Sequence, residues 1–330
     1  MPSKRRWLSA AAAIAICPST LTSNLSAQQA PLPMGRALGD ACTRSMNVPA
    51  PAPGQAQVPP LPQSTTAPAE PTDLVKVRED VYAIINVNNT VIPDIPMYGG
   101  NVTIYLTDDG VVLVDSKNER MHDDLIAKVR SLTDAPVKYV VLTHNHADHS
   151  GGAARLQALG ATVIMSAAAG RRMAAAGLPQ VGYEGHAEIV LGGKRVDLLE
   201  FCGHTSGDTV VYLPDARVVV SGDLVATPDS IPQITNYADG GTWTDMVRTL
   251  DALAELDFEL MIAGHGPVLT KQQFLEHRDK IAAIRARAQE LVRAGKSGNE
   301  IAQALAAEFN WGGGPGPAAG NIPGMMLEFK

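Results

Sequence analysis

The chain has 330 residues, 45% of them hydrophobic, with a mean hydropathy near zero, enough to bury a sizeable core in one large domain or two modest ones. Only 18% are charged and the formal balance is −7, which argues against a general nucleic-acid binder. No apolar run reaches the roughly 20 residues that span a bilayer, and three cysteines cannot build a disulfide scaffold or a four-thiolate zinc site.

Lys4, Arg5 and Arg6 precede a short apolar run from Trp7 to Cys17, and Leu25-Ser26-Ala27 offers a small-residue cleavage site. That order predicts a signal peptide over residues 1–27, cleaved after Ala27, and hence a periplasmic or secreted protein. Cleavage leaves 24 basic against 34 acidic residues, a balance that disfavours phosphate backbones and anionic membranes. Cys42 and Cys202 remain. An oxidising compartment permits a bridge between them, and two unpaired thiols is the equal alternative. From Pro31 to Pro71 lie 10 of the 23 prolines, so residues 28–72 are expected to form a disordered linker.

From Asp73 the pattern becomes that of a folded domain. Val81–Ile85, Asn101–Thr107 and Val111–Asp115 read as strands, the last two joined by an Asp108-Asp109-Gly110 turn. Glu119–Leu132 has helical spacing, and Val137–Leu142 is a nearly continuous apolar run typical of a buried strand. Further strands are predicted at Ala161–Met165, Arg195–Phe201, Thr209–Leu213, Arg217–Ser221 and Leu260–Ala263, and helices at Trp243–Leu256 and Lys271–Ala294. The alternation gives a mixed α/β class with a sheet core over residues 73–294. Residues 295–330 read as a tail, and its Gly- and Pro-rich end, Trp311–Lys330, is expected to lack regular structure.

The buried strand runs into His144-Asn145-His146-Ala147-Asp148-His149. Residues two apart on an extended segment point the same way, so His144 and His146 can converge on one ion. The turn that follows can aim Asp148 and His149 at a second point. Imidazole nitrogen and carboxylate oxygen suit zinc at roughly 2.0–2.2 Å. Three later loops add His204 in a Gly-rich loop, Asp223 after Ser221-Gly222, and His265 between Gly264 and Gly266. Each follows a strand.

Here the sequence resembles the metallo-β-lactamase superfamily, over roughly Asp73 to Ile284, through its His-x-His-x-Asp-His pattern followed by His, Asp and His at strand ends. The resemblance implies a four-layered αβ/βα sandwich (α/β in class, α+β in arrangement). It also implies two Zn²⁺ ions per chain: His144, His146 and His204 around the first, Asp148, His149 and His265 around the second, Asp223 bridging. Paired dications that share a water lower its pKa toward neutrality, and Asp148 would orient the hydroxide.

The expected activity is hydrolysis of an ester, lactone, thioester or amide, β-lactams among the options, in a small-molecule substrate. Imidazole and carboxylate also accept iron or manganese. An iron persulfide dioxygenase and a non-catalytic metal-binding accessory protein are therefore the alternatives.

Around this set, Asp115 ends a strand where a hydrogen bond to a ligand histidine is expected. Tyr98 sits on a loop that overhangs the metals in relatives, and the Tyr237 hydroxyl is a candidate to protonate a leaving group or bind a carbonyl oxygen. Trp243 starts a helix; packing is its first reading and a substrate-facing role its second. Lys117 reads as exposed. His122, His186 and His277 match no ligand position, and are expected on the surface or behind the site. Oligomeric state is unreadable.

Overall fold

The computed structural model describes residues 72–86, 98–226, 232–312 and 317–330. The predicted signal peptide, the Pro-rich linker up to residue 71 and Cys42 lie outside the described residues. Two sheets form the centre. The first contains β1 (Thr72–Lys76), β2 (Val81–Asn86), β3 (Val102–Thr107), β4 (Gly110–Val114), β5 (Val137–Val141), β6 (Thr162–Ser166) and β7 (Val181–Tyr183), side by side in chain order. β1 to β4 pair antiparallel, and β4 to β7 parallel.

The second sheet joins β8 (His186–Leu191), β9 (Lys194–Phe201), β10 (Asp208–Leu213), β11 (Val218–Gly222), β12 (Leu260–Ala263) and β13 (Leu269–Thr270), with only the β11–β12 pair parallel.

Period-two alternation decides which residues meet. Val112 and Val114 of β4 face a core shared with Val196, Leu198, Val211, Leu213, Val218 and Val220 of the second sheet. Their neighbours Val111 and Leu113 face the opposite way, toward Leu125, Val129, Leu156 and Ala169. Those four belong to helices α1 (His122–Leu132), α3 (Ala153–Ala158) and α4 (Ala167–Met173), which cover the outer face; the one-turn α2 (Ala147–Ser150) lies between α1 and α3 in sequence. Each such aliphatic side chain contributes roughly 1.5–3 kcal/mol by leaving water.

Beside the second sheet stand α5 (Trp243–Ala254) and α6 (Lys271–Arg293). α6 starts at a capping box of Thr270 with Gln273, and it buries Phe274, Ile281, Ile284, Ala288 and Leu291 along one stripe. The result is the expected order of helix, sheet, sheet, helix. Among the described residues no helix is long and apolar enough to cross a membrane.

Several expectations are corrected. Residues 317–328 of the segment expected to lack regular structure are helical: α8 (Pro317–Glu328) follows α7 (Gly298–Phe309) and packs against α6 and α7. Gly and Pro lower helix propensity, but Ala318, Ile322, Met325 and Phe329 recur at helical spacing and are all buried, and that packing prevails. Lys117 is fully buried rather than exposed; of the histidines expected on the surface or behind the site, His186 is exposed, while His122 and His277 are buried, His277 with Nε2 3.3 Å from Oε1 of Gln233. Strands β1, β7, β8 and β13 were not predicted. β8 is largely exposed and β13 has two residues, so neither carries a strong apolar pattern.

Candidate metal centre

Five of the seven sequence-predicted ligands come from loops at strand ends and two from the one-turn α2, and the structure brings them into two groups of four that share Asp223. β5 delivers His144 and His146, and α2 follows at once, so its single turn carries Asp148 and His149. β9 leads to His204, β11 to Asp223 and β12 to His265. At the turn after β12, a Cβ on Gly264 would fall 2.0 Å from Oδ1 of Asp223; only glycine lets the chain pass behind that carboxylate.

In the first group Nδ1 of His146 lies 3.1 Å from Nε2 of His204. Oδ2 of Asp223 lies 3.6 Å from His204 and 3.9 Å from Nε2 of His144. In the second group Nε2 of His149 is 3.2 Å from Nε2 of His265 and 3.1 Å from Oδ1 of Asp223. Oδ2 of Asp148 is 3.3 Å from His265 and 3.5 Å from His149. Four donors bound tetrahedrally to zinc at about 2.0–2.1 Å stand roughly 3.3–3.4 Å apart, so these spacings fit one cation per group.

The donor atoms support the same fit. Nε2 of His144 is buried without a hydrogen-bond partner, a costly state for a polar atom unless something else meets it.

Each of four histidines is held from behind, which fixes the nitrogen it turns inward. Nδ1 of His149 is 2.7 Å from Oδ2 of Asp115. Nδ1 of His144 is 3.1 Å from the Thr143 hydroxyl, which itself donates to Asp115. Nδ1 of His204 is 3.2 Å from the carbonyl oxygen of Ile234. Nε2 of His146 is 3.1 Å from Oδ2 of Asp239, which also accepts from Nδ2 of Asn236 at 3.0 Å. Asp239 in turn pairs with Arg172 at 3.0 Å.

Packing so many ionisable groups together splits their proton affinities. Burial holds His144 well below the usual imidazole range and lowers His204 to about 4. Burial opposes charge on His149 and His265 as well, but there the carboxylates of Asp223 and Asp148 outweigh it; His149 is raised well above its usual value and His265 to about 9. Asp148 is held at about 2 by His149 and His265, against its burial. The metal-free centre is thus a mesh of imidazolium and carboxylate groups that a cation can enter by displacing protons.

The remaining candidates are placed as follows. Asp115 stands directly behind His149. Tyr98 is buried, and two residues on the Gly100 N–H donates to the carbonyl oxygen of Asp148. Trp243 is fully buried, donates from Nε1 to Asn321, and meets the Trp311 ring edge-on at 5.6 Å; it presents no surface to a substrate. Tyr237 donates its hydroxyl to Glu328 at 2.7 Å, and burial together with that carboxylate raises its pKa far above the usual phenol. A proton so held is not one to hand to a leaving group. Cys202 is buried.

Sequence reasoning missed Thr143, Arg172, Asn236 and Asp239. Asn236 and Asp239 flank Tyr237, and acidic or amide residues in a Gly-bounded loop after a ligand are the one signal that could have marked them.

The metallo-beta-lactamase superfamily model matches residues 96–265. The chain is 35% identical over 160 residues to a hydroxyacylglutathione hydrolase of Acidiphilium cryptum, covering 47% of this chain and 61% of that protein. It is 26% identical over 185 residues to a type 2 metallo-beta-lactamase of a Bacillus species, covering 54% and 71%. Among solved structures, the metallo-beta-lactamase from Pontibacter korlensis superposes with a TM-score of 0.55 at 21% identity, over 64% of this chain and 99% of that one.

Proposed function

The chain belongs to the metallo-β-lactamase superfamily, and from that premise we propose that it is a dinuclear zinc hydrolase acting on an ester, lactone, thioester or amide bond of a small molecule. One observation carries this reading: Asp223 belongs to both four-residue groups, with Oδ2 toward His204 and Oδ1 toward His149 and His265.

In this reading His144, His146, His204 and Asp223 hold one ion, and Asp148, His149, His265 and Asp223 the other. Zinc there supplies Lewis acidity and a water made nucleophilic near neutral pH. Asp148 turns Oδ2 to His149 and His265, which leaves Oδ1 to hold and orient a proton of the attacking water. Asp223 sets the spacing of the two groups and offsets part of their positive charge. Asp115 and Asp239 keep His149 and His146 in the tautomers that face inward. The acidic balance of the chain fits a small-molecule substrate better than a polyanion.

The name of the Acidiphilium cryptum relative points to a thioester and that of the Bacillus relative to a β-lactam; both belong in the substrate panel. The test is metal analysis of purified protein beside assays on a thioester, lactones and a chromogenic β-lactam. The reading expects about two zinc ions per chain, turnover of at least one substrate, and loss of about 10²-fold or more in kcat for Asp148→Ala. Full turnover after complete metal removal would overturn it.

A further inference from the structure

Residues 232–236 run without helix or strand before a single 3₁₀ turn, Tyr237–Asp239, and the segment makes contacts on two sides. On one side the carbonyl oxygen of Ile234 meets Nδ1 of His204 at 3.2 Å. The Asn236 N–H donates to the carbonyl oxygen of His204 at 2.7 Å, and Nδ2 of Asn236 donates at 3.0 Å to Oδ2 of Asp239, the carboxylate behind Nε2 of His146. The even-numbered residues thus serve two ligands of the first group.

The odd-numbered residues also reach the ligand loops, the Gln233 side chain donating to the carbonyl oxygen of Asp223 at 2.8 Å and the Thr235 hydroxyl to that of Gly203, and they are the ones that the C-terminal segment holds. Nε1 of Trp311 donates to the carbonyl oxygen of Gln233 at 2.9 Å. Asn321 pairs with the backbone of Thr235 in both directions, accepting from its N–H at 2.9 Å and donating to its carbonyl oxygen at 3.1 Å. Glu328 accepts from the Tyr237 hydroxyl at 2.7 Å and from the N–H groups of Trp243 and Thr244 at the start of α5. The fit is close: a Cβ on Gly324 would fall 2.2 Å from the Tyr237 ring.

We propose that Trp311, Asn321 and Glu328 of the C-terminal segment are positioning residues for the first metal group, acting through residues 233–237 on His146 and His204. This rests on the dinuclear reading above. The physical reason is entropy. Residues 232–236 have no ladder of their own to hold them, so fixing each backbone unit costs conformational entropy; the three C-terminal contacts offset part of that cost before metal arrives. Behind-the-ligand contacts of this kind typically change metal affinity 10–100-fold.

The test uses the full chain with Asn321→Ala and Glu328→Ala, and Leu327→Ala, half-exposed on the same helix, as control. Zinc affinities are measured by competition with a chromophoric chelator. The cobalt-substituted protein is then followed by its absorption bands and by the paramagnetically shifted imidazole N–H signals in proton NMR.

Wild type and Leu327→Ala are expected to bind two ions alike. In the other two variants one ion is expected to bind tenfold or more weakly, with altered N–H signals for His146 and His204 and an unaltered one for His149. Folded variants with wild-type affinities and cobalt spectra would overturn the proposal. Should the alanine variants not fold, Asn321→Asp, which removes the donor to Thr235, and Glu328→Gln are judged by the same criterion. Failure of the wild type itself to bind two ions would sink the dinuclear reading instead, a separate outcome.

Discussion

Oδ2 of Asp115 stands 2.7 Å from Nδ1 of His149 and accepts a hydrogen bond from the Thr143 hydroxyl at 2.8 Å. That hydroxyl lies 3.1 Å from Nδ1 of His144. One carboxylate therefore backs a histidine from each group, with a single hydroxyl between it and the second. Asp115 sits in the left-handed region at φ 67°, a conformation aspartate tolerates better than most residues. Asp115→Ala is expected to weaken the binding of both ions, by about 10–100-fold for the ion at His149 and less for the other. Chelator competition on the folded variant checks this; an effect confined to one ion would show that Thr143 transmits nothing.

Proton release follows from the charge pattern of the metal-free centre. His149 and His265 have raised proton affinity, His265 with a pKa of about 9, so His265 holds a proton at pH 7 that a cation must displace, and His149 leans the same way. Below these pKa values protons compete with metal, so zinc affinity is expected to rise with pH until about 9. Calorimetry in two buffers of different ionisation enthalpy should find on the order of one or two protons released per chain at pH 7, and fewer at pH 9.5. Release that does not change with pH would contradict the assignment.

Lys117 is enclosed, with its Nζ donating to Oδ1 of Asn86 at 2.9 Å and to the carbonyl oxygen of Gly100 at 2.7 Å. Burial lowers its pKa from 10.5 to about 7. Between those two values the unfolded chain binds the proton and the folded chain does not, so this group makes stability rise with pH from about 7 to 10.5. Replacing it by methionine removes that slope. Denaturant unfolding of the metal-free protein at pH 7 and pH 9 should show wild type gaining stability relative to Lys117→Met at the higher pH. Parallel behaviour would mean the amine stays charged in the fold.

Trp243 was open to two readings in the sequence, and its enclosure by Trp311 and Asn321 decides between them. Trp243→Ala should cost about 3–5 kcal/mol of stability, as large-to-small changes of buried aromatics do, and lower Tm by several degrees. A variant as stable as wild type would mean the indole contributes little packing.

The candidate ligand set was legible because chemistry-bearing residues stood at strand ends with fixed spacing: His144 and His146 two apart, then Asp148 and His149 within one turn. A sheet core was legible from short apolar runs such as β2, β4 and β5, and its two-sheet arrangement only through the family resemblance. What supports the ligands was not. Asp239 reaches His146 from 93 residues away, and no local pattern tells which loop returns over which histidine. Lys117 looked solvated because lysine usually is; only the tertiary structure supplies the two oxygen atoms that accept from it. α8 was concealed by its Gly and Pro content, although Ala318, Ile322, Met325 and Phe329 already carried the helical period.

The central claim is that Asp223 joins two cation sites. The most direct measurement is the zinc content of wild type and Asp223→Ala, by elemental analysis after equilibration with zinc and removal of loosely bound metal. The account expects two ions per wild-type chain and one or none in a folded Asp223→Ala chain. A wild-type chain that retains only one ion, or a variant that still retains two, would contradict it.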